Sequence, residues 1–551
     1  VRYKYFAKCY RVLLMSRSLL LGAATALTAV WAQNPALDRI RIVDLRADLT
    51  FLASNALEGR RSLQRGSEVA IEFLAAEFAK AGIQPVVGTS YLQAVPLLEY
   101  RIDTNQSSVA IERGGQRRVL KYNVDFFGGS AFESYVEGPL VFAGYGITAP
   151  EFGYDDYASI DVLGKIVVIF DHEPQENDAN SVFNGSGNTR HSSSGVKLLN
   201  AKKHGAIGVL FAAEPNRKHP SNQERSARIP GSVQRAQRLP PQALADAEAR
   251  LPAFSISDQL TAELLGAAGK TAAELQTAID TGLRPASQLL PGTRAEMRLV
   301  LEEQRRGNSY NVLGLVEGSD PVLKNETVVF SAHYDHDGAW DGTIRPGADD
   351  NGSGTVGVLE LARAFAASPV KPKRSLLFVI FAAEERGLLG SYYYAAHPLR
   401  PLETTRAVIN FDMIGRNETP SQQTDGLIDI AADTSNELNL IGTINSPDYR
   451  KAVERADEYV GLHLNYKWDR DAALNIFQRS DQFPFALHDI PAIWWFTGFH
   501  PDYHQPTDSV EKINFTKMEK ILRLAYLTGQ EFANQATPPR FVAAPVAGTG
   551  R

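Results

Sequence analysis

The sequence predicts an α/β protein: a mostly parallel mixed sheet with flanking helices, carrying an inserted α+β module. Three observations point there. From Tyr310 onward, continuous apolar runs at 328–331, 375–381, 407–411 and 492–496 alternate with helical stretches. Strands buried on both faces and joined by helical crossovers have that pattern. Between about 137 and 257 the apolar runs are shorter and separated by Gly-, Asn-, Ser- and Arg-rich loops, which marks a separate small module. The length, 551 residues, exceeds what one ordinary core organises.

At the N-terminal end, Met15 to Ala32 has a basic start, an apolar run and a small residue before Gln33. This reads as a signal peptide over 1–32 cleaved after Ala32, with 1–14 an upstream extension and Met15 the true start. The apolar run is short for a spanning helix. The single cysteine, Cys9, falls in that segment, and no lipid-attachment cysteine follows it. The expectation is a soluble exported protein, periplasmic or secreted, with no stable membrane insertion after cleavage. A net charge of −6 and a pI near 6.1 exclude a typical nucleic-acid binder.

Residues 33–136 form the first part of the main domain. Within them Ser67 is placed to cap a helix whose face carries Ile71, Leu74, Ala75 and Phe78, and Gly82 ends it. The module takes 137–296, with strands at 139–142, 166–170, 207–211 and 252–256 and a helix at 195–204. The main domain resumes over 297–536, including a helix after Asn351 with Val356, Leu359, Ala362 and Phe365 on a stripe. The Ala-, Pro- and Gly-rich 537–551 read as a disordered tail.

The chemistry concentrates after the strands of the main domain. Ser331-Ala-His-Tyr-Asp-His-Asp337 and Gly347-Ala-Asp-Asp-Asn-Gly-Ser-Gly354 are followed by Glu384-Glu385, Asn410-Phe-Asp-Met413 and Asp502-Tyr-His504. His333, Asp349, Glu385, Asp412 and His504 are the expected metal ligands. Most lie just past the carboxyl end of an apolar strand, the edge where open α/β sheets bind ligands. Two histidines and three carboxylates suit two zinc ions sharing one carboxylate. Glu384 is the expected proton carrier beside Glu385. Asp335, two residues past His333, is placed to bond its free ring nitrogen.

These motifs, in this order, resemble the co-catalytic di-zinc exopeptidases that include bacterial leucyl aminopeptidase and glutamate carboxypeptidase. The resemblance implies the zinc exopeptidase fold and an inserted protease-associated domain, the latter on Ala143-Gly-Tyr-Gly146, Gly164-Lys-Ile-Val-Val168 and Gly205-Ala-Ile-Gly-Val209. It implies His333 and Asp412 on one zinc, Glu385 and His504 on the other, and Asp349 as the bridge. It further implies Glu384 as general acid/base acting on a metal-bridged water, Tyr503 as an oxyanion donor, and a cis peptide between Asp349 and Asp350. The implied activity is removal of N-terminal residues from peptides or small proteins. Gln482 stands where many relatives have histidine, and Gln505 where threonine is usual.

Some residues stay outside the expected site. His336, His397, His463, His488 and His500 lack a ligand context, Asp337 is expected to do nothing to the metal, and Trp494 and Trp495 read as core. Arg416 or Arg479 would be needed to hold a substrate carboxylate in a carboxypeptidase or dipeptidase, the main alternative. A glutaminyl cyclase-like transferase and a non-catalytic binding protein are the others.

Overall fold

The computed structural model describes residues 35–543 apart from 186, 230, 247–250 and 472. The signal-peptide reading, Cys9, Met15 and the end of the tail, 544–551, lie outside the described residues.

The main sheet is mixed. Its strands run in the order Gln242–Leu244, Leu92–Ile102, Leu301–Val316, Ser375–Phe381, Thr327–His333, Thr405–Phe411, Ala492–Phe496, Glu437–Ile441, His463–Asn465. The four apolar runs read from the sequence are the central parallel strands. Every residue of Thr327–His333 and Ser375–Phe381 is buried, as strands covered on both faces require. The antiparallel flank formed by Leu92–Ile102 and Leu301–Val316 escaped the sequence reading. Its outer half carries Glu302, Glu303, Arg305 and Arg306 facing solvent, so no apolar run announces it.

Register puts the chemistry on one edge. His333 pairs with Phe381 across one interface, and Ser331 pairs with Asn410 across the other. The strands carrying His333, Glu384-Glu385 and Asp412 therefore end side by side. Beneath that edge Ser331 Oγ donates to Asn410 Oδ1 at 2.7 Å, and Asn410 Nδ2 donates to Ser480 Oγ at 2.9 Å. These buried bonds cross-link the strand ends.

The helix Gly354–Ala366 leaves the glycine-rich turn and packs on the central strands. It is buried almost all round, enclosed by Ile42–Leu52, Arg65–Lys80 and Phe515–Asn534. The helix Arg65–Lys80 is capped at Gln64, not at Ser67: Ser67 lies inside the first turn and its hydroxyl donates back to the Gln64 carbonyl at 2.8 Å. Gly82, with φ +70°, follows its end as expected.

The module has its own sheet and core. Its strands run Gln116–Val119, Ser108–Arg113, Gln288–Leu299, Ser134–Phe142, Ile166–Phe170, Gly208–Ala212, Ala253–Ile256, Phe126–Phe127. Strands from Ser108 already belong to it, upstream of residue 137, because the polar hairpin 108–119 pairs with Gln288–Leu299. Mid-module, Gln242–Leu244 leaves to pair with Leu92–Ile102 of the main sheet. The tail, expected to be disordered from 537, is docked at its start: Val542 N–H donates to the Asn445 carbonyl at 2.7 Å, and Arg540 pairs with Asp448 at 3.0 Å. Among the described residues no helix is long and apolar enough to cross a membrane.

Candidate metal centre

The glycine-rich turn positions the centre. Gly347 holds φ +58°, and a Cβ there would meet the Asp350 carbonyl at 2.2 Å and the His336 ring at 2.5 Å. Only glycine fits this approach. Ala383, Met413 and His504 also hold left-handed backbone, at φ 55°, 59° and 57°. Non-glycine residues pay about 1 kcal/mol or more for that conformation, and here it recurs beside the proposed ligands.

Asp350, not Asp349, reaches the centre. Asp349 is saturated elsewhere: its Oδ1 accepts from Gly415 N–H at 2.6 Å, and its Oδ2 lies 3.2 Å from His500 Nε2. Its backbone N–H bonds the Asp508 carboxylate, as does that of Asp350. Asp350 Oδ1 lies 3.7 Å from His333 Nε2, while its Oδ2 lies 3.3 Å from His504 Nε2. One carboxylate thus faces both imidazoles. The cis peptide likewise falls between Asp350 and Asn351, not between Asp349 and Asp350.

The other expected residues gather around it. Asp412 Oδ1 and Glu384 Oε2 lie 3.5 and 3.6 Å from His333 Nε2. Glu385 Oε2 lies 3.5 Å from His504 Nε2. Tyr503 borders the same small cavity, about 20 Å³, with Asp350, Glu384, Glu385, Asp412 and Arg479. Its hydroxyl accepts from Arg479 Nη2 at 3.2 Å.

Supporting bonds differ from expectation at His333. Its Nδ1 bonds the Asp335 carbonyl at 3.1 Å, while the Asp335 carboxylate is 3.7 Å away and accepts from Glu384 N–H at 3.0 Å. Asp335 therefore ties the two strand ends together. At His504, Nδ1 lies 2.8 Å from Asp337 Oδ2, so Asp337 is the carboxylate that orients this ring. Asp337, His336, whose Nδ1 lies 2.8 Å from Glu385 Oε1, and His500 thus border the centre, although the sequence reading places none of them in it. Sequence offered no signal for them beyond their place in the same loops.

The electrostatics fit a cation. Among the described residues none of Asp350, Glu384, Glu385 and Asp412 is paired with lysine or arginine; their ionic neighbours are histidines. Burial, with Glu385 and Asp412 nearby, pushes the Asp350 carboxyl well above the usual range. Burial does the same to Glu384, reinforced by Asp412 and Asp481 and opposed by His333. Among the described residues, the buried Nε2 atoms of His333 and His336 have no hydrogen-bond partner. His333, Asp350 and Asp412 bring ligand atoms within 4.8 Å of one another, as do His336, Asp350 and Glu385, and Asp337, Glu385 and His504. Compact sets of imidazole and carboxylate suit zinc.

Two parts of the chain match known families. Residues 311–528 match Peptidase family M28, and residues 136–259 match the PA domain. These matches identify a peptidase family M28 domain over 311–528, with a PA domain ahead of it. It is 28% identical over 265 residues to Aminopeptidase YwaD of Bacillus subtilis, covering 45% of this chain and 50% of that protein. It is 31% identical over 198 residues to a probable leucine aminopeptidase 2 of Aspergillus oryzae, covering 36% of this chain and 35% of that protein. The chain thus spans half or less of the length of these curated relatives. The solved aminopeptidase of Aneurinibacillus sp. strain AM-1 aligns with a TM-score of 0.46 at 20% identity, covering 93% of this chain and 97% of that one.

A second cluster of ligand types lies in the PA domain: His172, Glu176, Glu214 and His219. Glu214 Oε1 lies 2.8 Å from His172 Nδ1 and 3.0 Å from His219 Nε2, and Glu176 Oε2 lies 2.6 Å from His219 Nε2. Here a cation is already present. Arg225 Nη1 lies 3.0 Å from His172 Nε2, and Arg225 Nη2 lies 3.2 Å from His219 Nδ1. A metal on His172 Nδ1 would leave Nε2 protonated, donor facing donor against Arg225. The cluster therefore reads as a buried ion-pair network.

Proposed function

We propose that this chain is an exported di-zinc aminopeptidase, releasing N-terminal residues from peptides or small proteins. The observation that carries the reading is Asp350, whose two oxygens face His333 and His504 while Glu384 borders the same cavity. One position would be held by His333, Asp350 and Asp412, the other by Asp350, Glu385 and His504. Zinc bound there supplies a Lewis acid for the scissile carbonyl and lowers the pKa of water.

The side chains do the rest. Glu384 takes the proton of the attacking water and delivers it to the departing amine. Tyr503 accepts from Arg479, so its own proton is free to donate to the developing oxyanion. Asp335, through the Glu384 N–H, fixes the proton carrier relative to the His333 strand. Asp337 holds the His504 ring in the tautomer with Nε2 turned to the metal.

Aminopeptidase action is favoured over carboxypeptidase action because four carboxylates border the cavity against one arginine, Arg479. Arg416 pairs with Asp502 at 2.9 Å, and Arg479 bonds Tyr503. The free amine of the substrate fits a cavity walled by carboxylates. Export is supported by the signal-peptide pattern of Met15 to Ala32. The test compares hydrolysis of Leu-p-nitroanilide with that of N-blocked peptides bearing a free carboxylate. Turnover of the anilide is expected; activity confined to the blocked peptides would overturn the aminopeptidase reading.

A further inference from the structure

The stretch of the PA domain between residues 222 and 244 does not stay in its own domain. Its arginines end on the peptidase domain one after another. Arg225 Nε donates to the Ala473 carbonyl at 2.6 Å, and Arg228 Nη1 to the Asp425 carbonyl at 3.0 Å. Arg235, on the helix Ser232–Arg238, pairs with Asp337, and Arg238 pairs with Asp341 at 3.1 Å. The stretch is then stitched to the main sheet by the strand Gln242–Leu244.

Arg235 goes deepest. Asp337 is 1% exposed, and its Oδ1 takes Arg235 Nη1 from one domain and Arg386 Nη2, at 2.7 Å, from the other. Its Oδ2 is the atom that holds His504 Nδ1. Arg235 Nη1 itself lies 2.8 Å from that nitrogen because both N–H groups donate to the one Asp337 carboxylate, not to each other. Two guanidinium groups thus clamp the carboxylate that orients a proposed metal ligand, and one of them comes from the inserted domain. A buried carboxylate that loses one of two cationic partners is less firmly held, and the ring bonded to it loses its fixed orientation.

We propose that Arg235 is a positioning residue of the metal centre supplied by the inserted PA domain: it clamps Asp337 and, through it, His504, so that the second metal position is fully ordered only while the helix Ser232–Arg238 is docked. This rests on the di-zinc reading above. It makes docking of the PA segment and assembly of the centre one event. It also gives the inserted domain a part in the chemistry without touching substrate.

The test uses the full-length chain loaded with zinc and titrated with a competing chelator. Arg235→Gln is expected to surrender one of two zinc ions at about 10-fold lower chelator concentration than wild type, the loss typical when a ligand's outer partner is removed. Arg235→Lys, which keeps the charge, is expected to recover most of that difference. Arg238→Gln, whose exposed pair with Asp341 lies outside the centre, is expected to match wild type. Asp337→Asn should show the same early zinc loss, and adding Arg235→Gln to it should change nothing more, because both act through one contact. An Arg235→Gln protein that titrates like wild type would overturn the proposal, as would full additivity with Asp337→Asn. A wild-type chain that holds no zinc would overturn the metallopeptidase reading and this proposal together, so the two failures are distinguishable.

Discussion

Two buried clusters of histidine and carboxylate sit in this molecule, one at the edge of the main sheet and one in the PA domain. By ligand type they are alike. In the PA domain, Glu176 and Glu214 face His219 and His172 with Arg225 against both rings. At the sheet edge, Asp350, Glu384, Glu385 and Asp412 face His333, His336 and His504; among the described residues no lysine or arginine pairs with these four carboxylates, and Arg235 meets His504 only at Nδ1, not at the Nε2 that faces Asp350. The first cluster has its counter-charge built in. The second is short of positive charge, and burial with carboxylate neighbours pushes its Asp350 and Glu384 carboxyls towards the neutral form. The difference teaches that ligand spacing alone does not mark a metal site; a surplus of buried carboxylates over the cations that face them does.

The largest effect that follows concerns turnover. Glu384→Gln keeps the shape of the side chain and removes its ability to carry a proton, so kcat on Leu-p-nitroanilide should fall by about 10²–10⁴-fold with zinc content unchanged. Retained activity would leave Glu384 as a wall of the cavity. Next, neighbouring aspartates should behave as opposites. Asp350→Asn should reduce zinc content and turnover together, because it removes the carboxylate facing both histidines. Asp349→Asn, which can still accept from Gly415 N–H, should keep its zinc. Metal analysis of the two purified variants checks this, and the reverse pattern would restore Asp349 as the ligand.

The smallest effect probes the other cluster. Burial alone would lower the His219 pKa, but Glu176 and Glu214 overcome it and hold the imidazolium up to about 10. An unfolded histidine titrates near 6.5. The folded state therefore binds the extra proton between those values, so this stabilisation is full below about pH 6.5 and is lost as pH rises towards about 10. The slope is at most about 1.4 kcal/mol per pH unit. Chemical denaturation at pH 7, 8.5 and 10 should show wild type losing more stability than His219→Gln. Parallel losses would mean His219 is neutral in the fold.

The legible part of the fold was its hydrophobic part. The four central strands were readable because both faces are buried and leave unbroken apolar runs, and they carried His333, Glu384, Glu385 and Asp412 with them. The flanking strand Leu301–Val316 was not, because its outer half is solvent-facing and charged. The ligand motifs located the site but not which aspartate serves it. Asp349 and Asp350 are adjacent and chemically identical, and only the bonds from Gly415 and His500 to Asp349 separate them. Asp337, His336 and Arg235 were illegible for another reason. Their partners lie 49 to 269 residues away along the chain, and only the packed PA domain brings Arg235 in.

The most direct test of the account is an anomalous-scattering map at the zinc edge from crystals of the full-length protein grown with zinc. The account predicts two peaks flanking the Asp350 carboxylate, one towards His333 and Asp412 and one towards His504 and Glu385, with none between Glu214 and His219. A zinc peak in the PA-domain cluster, or none beside Asp350, would contradict it.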